Sequence, residues 1–172
     1  HALLQAEPFL RGRTGTLVML SGDVPLLTEA TLKRLTALHS ESGAAATVVT
    51  ATVDRPYGYG RIVRSGGKIA AIVEERDASP EVRQIQEINA GIYAFSLEQL
   101  FDSVRAIATQ NAQGEYFLTD VIGVLRQAGH QVVGMESPGV AEAMGGETYN
   151  GAIWLEGSPN VEETIYWLNL LI

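Results

Sequence analysis

The chain has 172 residues, a formal net charge of −8, 46% hydrophobic residues and no cysteine. That length supports one domain with a real core and is short for two, and the apolar fraction excludes a disordered tail. The lack of cysteine excludes disulfides and thiolate zinc sites, and the acidic balance argues against a general nucleic-acid binder, which needs a basic patch to neutralise phosphates.

Residues 1–10 read as the end of a helix broken at Gly12, without the basic region and long apolar run of a secretory signal. Thr16 to Leu20 (TLVML) is a short apolar run of buried-strand type. It stops at Ser21-Gly22-Asp23-Val24-Pro25. Thr28 is placed to cap a helix with Glu29 in its first turn and Leu32, Leu35 and Leu38 on one face. Ala45 to Thr52 is rich in β-branched residues and predicts the next strand. Strand, helix, strand in that order predicts a parallel pair joined by a right-handed crossover.

Arg61–Arg64 and Ile69–Glu74 predict a hairpin turning at Ser65-Gly66-Gly67. Ser79-Pro80 opens a short helical or loop segment, and Ile88 to Phe95 (INAGIYAF) predicts a further strand. Leu97 to Ala108 predicts an amphipathic helix with Leu97, Leu100, Phe101 and Val104 inward. Thr119 to Ala128 predicts another, ended by Gly129, and Gln131 to Met135 a last strand. The text changes at about Gly145: residues 145–172 are acidic, carry scattered Trp and Tyr, and end in WLNLLI, an apolar terminus that must dock or promote association. The chain therefore divides into a domain over 1–144 and a tail over 145–172. No apolar run approaches membrane-spanning length, so the expectation is a soluble cytoplasmic α/β domain with no membrane partner.

Several residues could carry chemistry. Asp23 follows the carboxyl end of a buried strand, where open α/β sheets place ligands. Gly22 beside it allows close backbone approach, and the carboxylate could hold Mg²⁺ or cap a turn. In Pro56-Tyr57-Gly58-Tyr59-Gly60-Arg61 two glycines flank a tyrosine, which permits tight turning and ligand contact, or merely a turn into a strand. The Gly-Lys-Ser/Thr ending of a phosphate-binding P-loop is absent. Glu74 and Glu75 end the hairpin, and strand alternation turns one of them inward, where it could accept hydrogen bonds from sugar hydroxyls. Asn89 opens a strand of apolar and small residues, so its amide must find a backbone or ligand partner if buried. Thr119 or Asp120 is the natural N-cap of the following helix. The histidines, His1, His39 and His130, sit at no metal-ligand spacing and read as surface or loop residues. No Gly-x-Ser-x-Gly elbow supports serine chemistry.

In this order the motifs SGDVPLL, GYGRIVR, IVEERDAS, QEINAGIYAF and NAQGEYFLTDVI resemble the sugar-phosphate nucleotidyltransferase domain of GlmU-type bifunctional enzymes, in the N-acetylglucosamine-1-phosphate branch. The resemblance runs from His1 to about Met144. It implies a Rossmann-like, GT-A-like mixed sheet with helices on both faces and a small β insertion over the sugar site, incomplete at the N-terminus. The reaction it implies joins UTP and N-acetylglucosamine 1-phosphate to give UDP-N-acetylglucosamine and pyrophosphate, with Mg²⁺ as cofactor. Position by position, Asp23 matches the metal carboxylate, Gly22 lies beside the nucleotide, Gly60 contacts the sugar through its backbone, Glu74 and Asn89 hydrogen-bond the sugar, and Thr119 lies near the sugar and its phosphate.

The departures matter as well. The family's Gly-rich triphosphate loop and uracil-reading segment have no counterpart here, so little unaided turnover is expected, and missing central strands would leave a sheet edge open to self-association. The family's second metal ligand, an Asn after the last strand, is unmatched, with Glu147 and Asn150 the nearby candidates. Phe117 stands where a Tyr is usual, and Ser21 replaces a Tyr. Another sugar-phosphate nucleotidyltransferase, or a non-catalytic sugar-nucleotide-binding remnant, is the alternative.

Overall fold

The structure is a computed structural model that describes residues 2–21, 27–107 and 116–145. Its elements follow the chain as α1 (Ala2–Leu10), β1 (Thr16–Leu20), α2 (Glu29–Ser42), β2 (Ala46–Thr52), β3 (Arg61–Ser65), β4 (Lys68–Val73), α3 (Pro80–Arg83), β5 (Glu87–Ser96), α4 (Leu97–Arg105), α5 (Asp120–Gln127), β6 (Val132–Glu136) and α6 (Pro138–Gly145). The helix expected over Leu97–Ala108 thus ends at Arg105. Beyond Gly145, which closes α6, the tail lies outside the described residues.

Local chemistry explains most boundaries. Thr28 caps α2, its hydroxyl accepting from the Thr31 amide at 3.2 Å. Ser79 caps α3 and Pro80 occupies its first turn. The hairpin turns on Gly66 and Gly67, both at positive φ (57° and 78°), the backbone a two-residue type I′ turn demands. At the end of α5 the Gly129 amide donates to the Arg126 carbonyl at 3.1 Å and the His130 amide to the Leu125 carbonyl at 2.9 Å, a Schellman ending.

Among the described residues the sheet has six strands in the order β4-β3-β5-β2-β6, with β1 on β5 outside that path. The parallel pair expected of β1 and β2 is corrected. Both strands are antiparallel to β5, which lies between them, and the parallel neighbour of β2 is β6. The run of apolar residues reveals burial on both faces but not which strand sits next door, because the partner arrives from elsewhere in the chain.

Side-chain alternation on β5 splits the core. Tyr93 and Phe95 face one cluster with Leu100, Phe101 and Val104 of α4, Val121, Ile122 and Leu125 of α5, and Ile62, Ile69 and Ile72 of the hairpin. Ile88, Ala90, Ile92 and Ala94 face the other, with Leu35 of α2, Met135 of β6 and Val140 of α6. Helices cover both faces, and the β3–β4 hairpin folds over one of them as the small β insertion. It is pressed close: a Cβ added to Gly134 of β6 would lie 3.0 Å from the Ile69 Cδ1 and the Arg64 guanidinium.

Two buried polar residues hold the layers. Arg61, 1% exposed, donates through Nη2 to Glu75 at 2.6 Å and to the Arg83 carbonyl at 3.5 Å, and through Nη1 to the Tyr59 carbonyl. Glu75 also sits 3.8 Å from the Arg83 guanidinium. His39 corrects the expectation of a surface residue. It is 3% exposed on the inner side of α2, with Nδ1 2.9 Å from the Thr47 hydroxyl and Nε2 3.2 Å from Ser96 Oγ. A single His on a helix looks solvated in sequence; here it bridges α2, β2 and the β5–α4 junction.

Two outcomes follow. Removing one partner of a buried ion pair strands the other charge, which costs about 3–5 kcal/mol. Glu75→Ala should therefore lower the urea-unfolding free energy by about that much, and Glu74→Ala, losing one hydrogen bond, by about 1 kcal/mol; equal losses would contradict this assignment. Burial lowers the His39 pKa from its ordinary 6.5, so the unfolded chain binds the proton more readily. Stability should fall as pH drops below about 6.5, and His39→Gln should flatten that dependence in pH-stepped unfolding.

Candidate active site

Four of the candidate site residues lie within the described part of the structure, and these, Gly60, Glu74, Asn89 and Thr119, form one connected cluster. The Gly60 carbonyl accepts from the Asn89 backbone amide at 2.9 Å. A Cβ on Gly60 would stand 3.4 and 3.5 Å from the two carboxylate oxygens of Glu74 and 3.0 Å from Ile72 Cγ2, so the glycine lets the loop lie directly against the acid. The Thr119 hydroxyl donates to Glu74 Oε1 at 2.7 Å. Gly22 and Asp23 lie outside the described residues, as do Glu147 and Asn150.

The structure separates the two adjacent glutamates. Glu75 turns to the buried Arg61, while Glu74 turns to Thr119 and Gly60. Thr119 occupies the N-cap position of α5 yet makes no side-chain cap bond. The hydroxyl is directed instead to a residue 45 positions away, so the capping role expected from its position is replaced by a cross-chain one.

Asn89 sits beside an irregularity in β5. Val48 of β2 pairs with Tyr93 and Thr50 with Asn89, so one intervening residue on β2 faces three on β5. The extra length is taken up at Gly91, whose φ is +72°, a conformation that side chains other than glycine rarely adopt. A Cβ there would also lie 2.5 Å from Ser21 Oγ. The Ser21 hydroxyl and amide both donate to the Gly91 carbonyl, at 2.9 and 3.2 Å. Thus the residue just before the Gly22-Asp23 step is fastened to β5 two positions from Asn89. Bulges often aim side chains at functional sites. The glycine inside an otherwise regular strand was the sequence signal for this one.

Glu74 also lines a cleft of about 340 Å³, together with Tyr57, Gly58, Glu75, Arg76 and Phe117, a size at the low end of small-molecule sites. Tyr57 stands 84% exposed at its rim. A larger cavity of about 500 Å³ is lined by apolar residues such as Leu3, Leu4, Met19 and Ile107, with Arg105. Arg105 is already held by Glu7 at 2.6 Å and by Asp102, so this cavity offers little to orient a polar ligand.

The electrostatics centre on Glu74. Burial, then the charges of Glu74 and Asp77, hold the Asp120 carboxyl above its ordinary range. Burial pushes the Tyr93 phenol up as well; the Asn89 hydrogen bond opposes this and the Glu74 charge adds to it. The cluster therefore offers a carboxylate acceptor, a hydroxyl, an amide and an approachable backbone, a set suited to polyhydroxylated ligands. Among the described residues no group of three or more His, Asp or Glu could hold a metal ion. Sequence reasoning missed Arg61 and Tyr93, which look like an ordinary strand cation and an ordinary core aromatic.

Comparisons with known proteins bear on the family and the fold. The nucleotidyl transferase family matches residues 1–169. The chain is 48% identical over 146 residues to the bifunctional protein GlmU of Pelotomaculum thermopropionicum, covering 84% of this chain and 32% of that protein. It is 49% identical over 145 residues to that of Syntrophotalea carbinolica, covering 84% and 31%. The chain thus spans about a third of the length of the curated relatives it matches. Its fold is similar to a solved Bacillus anthracis structure described as a glucose-1-phosphate thymidylyltransferase in complex with sucrose, with a TM-score of 0.59, 21% identity, and coverage of 79% of this chain and 51% of that one. With a mixed sheet covered by helices on both faces, a β insertion over one of them and a family match along nearly its whole length, the chain belongs to the nucleotidyl transferase family.

Proposed function

We propose that this chain forms the sugar-phosphate side of an N-acetylglucosamine-1-phosphate uridylyltransferase working in the cytoplasm. The observation that carries the reading is the linked set Gly60–Glu74–Thr119 with Asn89, gathered from four separate segments, with Glu74 lining a cleft. A carboxylate aimed at a cleft and already holding one hydroxyl is well suited to accept further hydroxyl donors from a sugar ring. The Asn89 amide supplies both a donor and an acceptor beside it.

In the proposed reaction a phosphate oxygen of N-acetylglucosamine 1-phosphate attacks the α-phosphorus of UTP. A new P–O bond forms, the bond to the β-phosphate bridging oxygen breaks, and pyrophosphate leaves with that electron pair. Such a transfer depends on alignment and charge neutralisation more than on proton transfer. The described residues serve alignment: Glu74, Asn89 and Thr119 fix the sugar, and Gly60 keeps the loop low enough for them to reach it.

The family generally uses a divalent metal, and Mg²⁺ is the ion proposed here. Mg²⁺ takes one or two protein carboxylates together with phosphate oxygens, and Asp23 is the carboxylate proposed for it. When bound, the ion would offset the charge of the reacting phosphates.

Calorimetry with the intact chain in Mg²⁺ tests the sugar assignment. N-acetylglucosamine 1-phosphate and UDP-N-acetylglucosamine should bind, and Gly60→Ala should weaken both by about tenfold while the melting temperature stays within a few degrees. No binding by the unsubstituted chain would overturn the reading, and tighter binding of glucose 1-phosphate or dTDP-glucose would move it to another member of the family. Separately, Asp23→Ala should weaken Mg²⁺ binding about tenfold or more; unchanged affinity removes Asp23 from the metal role.

A further inference from the structure

We infer that Tyr93 is the positioning residue for Asn89: its buried phenol, brought back to the amide by the bulge at Gly91, fixes which way that amide presents its donor and acceptor to a bound ligand. As a statement about ligand recognition, this rests on the proposed sugar role of Asn89.

Residues four apart on a regular strand stand about 13 Å apart along the chain axis, too far for a direct side-chain bond in ordinary geometry. Here the Asn89 Nδ2 donates to the Tyr93 hydroxyl at 2.6 Å. The bulge makes this possible, because β5 carries its extra residues between these two positions, with Gly91 at φ +72°. The same bulge turns the Gly91 amide onto Asn89 Oδ1 at 3.1 Å.

These two bonds settle the amide's orientation. The Gly91 N–H can only donate, so Oδ1 must face it, and the flipped amide would set two donors against each other. Nδ2 therefore faces the phenol, whose oxygen accepts. An amide has two N–H groups and two carbonyl lone pairs. One of each is used, and the others remain to meet a ligand hydroxyl or acetamido group.

Tyr93 is well held for such a task. It is 2% exposed, and its ring stacks on Phe95 at 5.4 Å between centroids and 17° between planes. Its register on β5 is fixed from both sides, by Val48 of β2 and Met19 of β1. The hydroxyl accepts from Asn89, and its own proton is not needed for that bond.

The test is Tyr93→Phe, which keeps the ring, the stack and the fold and removes only the hydroxyl. In ¹⁵N-labelled chain without ligand, the Asn89 side-chain amide and Gly91 backbone amide resonances should both move, with the melting temperature within a few degrees. The affinity for N-acetylglucosamine 1-phosphate should fall about tenfold, and the same substitution made on top of Asn89→Ala should cost nothing further. Unmoved Asn89 resonances, or an undiminished loss in the Asn89→Ala background, would overturn the inference. Resonances that move in a chain that never binds the sugar phosphate would keep the positioning role and refute the proposed function instead. Should Tyr93→Phe fail to fold, Asn89→Asp gives the reciprocal reading, since a carboxylate facing the phenol must displace the Tyr93 Cζ resonance; no displacement would overturn the inference equally.

Discussion

The placement of Gly60 and Glu74 in the candidate site depends on one buried guanidinium. Arg61 has almost no access to water, and a charge removed from water must be met by hydrogen-bonding partners or it is expelled. It finds them on three segments: the Tyr59 carbonyl in the glycine-tyrosine loop, the Glu75 carboxylate at the end of the hairpin, and the Arg83 carbonyl at the end of α3. Gly60 lies between Tyr59 and Arg61, and Glu74 directly precedes Glu75. Satisfying the cation therefore brings Gly60 and Glu74 face to face, within ordinary contact of a would-be Cβ. The exposed pair Lys33–Glu29 has no such leverage, because water can replace either partner and such pairs contribute about 0–1 kcal/mol.

Strand β5 provides the second constraint. It is the sheet's common neighbour, paired with β1, β2 and β3, and its two faces divide the core. A strand so completely engaged cannot shift register without turning its apolar side chains to the wrong face. The bulge at Gly91 is thus locked in, and with it the approach of Ser21, Asn89 and Tyr93 to one another. Asn89 and Tyr93 thus rest on the strand with the most partners in the sheet, and the loop bearing Tyr57 and Gly58 lines the cleft.

Electrostatically the site is a local expression of an acidic chain. Glu74 accepts from the Thr119 hydroxyl, whereas Glu75 is consumed by Arg61 and Arg83. Two chemically identical side chains, adjacent in sequence, are given different tasks by what each faces. Burial first, and then the nearby charges of Glu74 and Asp77, hold the Asp120 carboxyl above its ordinary range.

The sequence by itself determined the elements and the family. Period-two and helical patterns, caps such as Thr28 and Ser79, and the paired glycines of the hairpin are local chemistry, decided by neighbours a few residues away, and the ordered motifs carried the resemblance to nucleotidyltransferases. It also named Gly60, Glu74, Asn89 and Thr119. What the tertiary structure alone decided were the relations between distant segments: that β5 lies between β1 and β2, that His39 is buried, that Glu74 and not Glu75 turns to Thr119, that Arg61 draws Tyr59, Glu75 and Arg83 together, and that the Tyr93 hydroxyl meets the Asn89 amide. Each is fixed by partners between 8 positions away (His39 and Thr47) and 80 (Thr16 and Ser96), or by a bulge in the strand register. A run of residues records its own burial and turn preferences, but the identity of the group that arrives to face it is settled only when the chain has closed on itself.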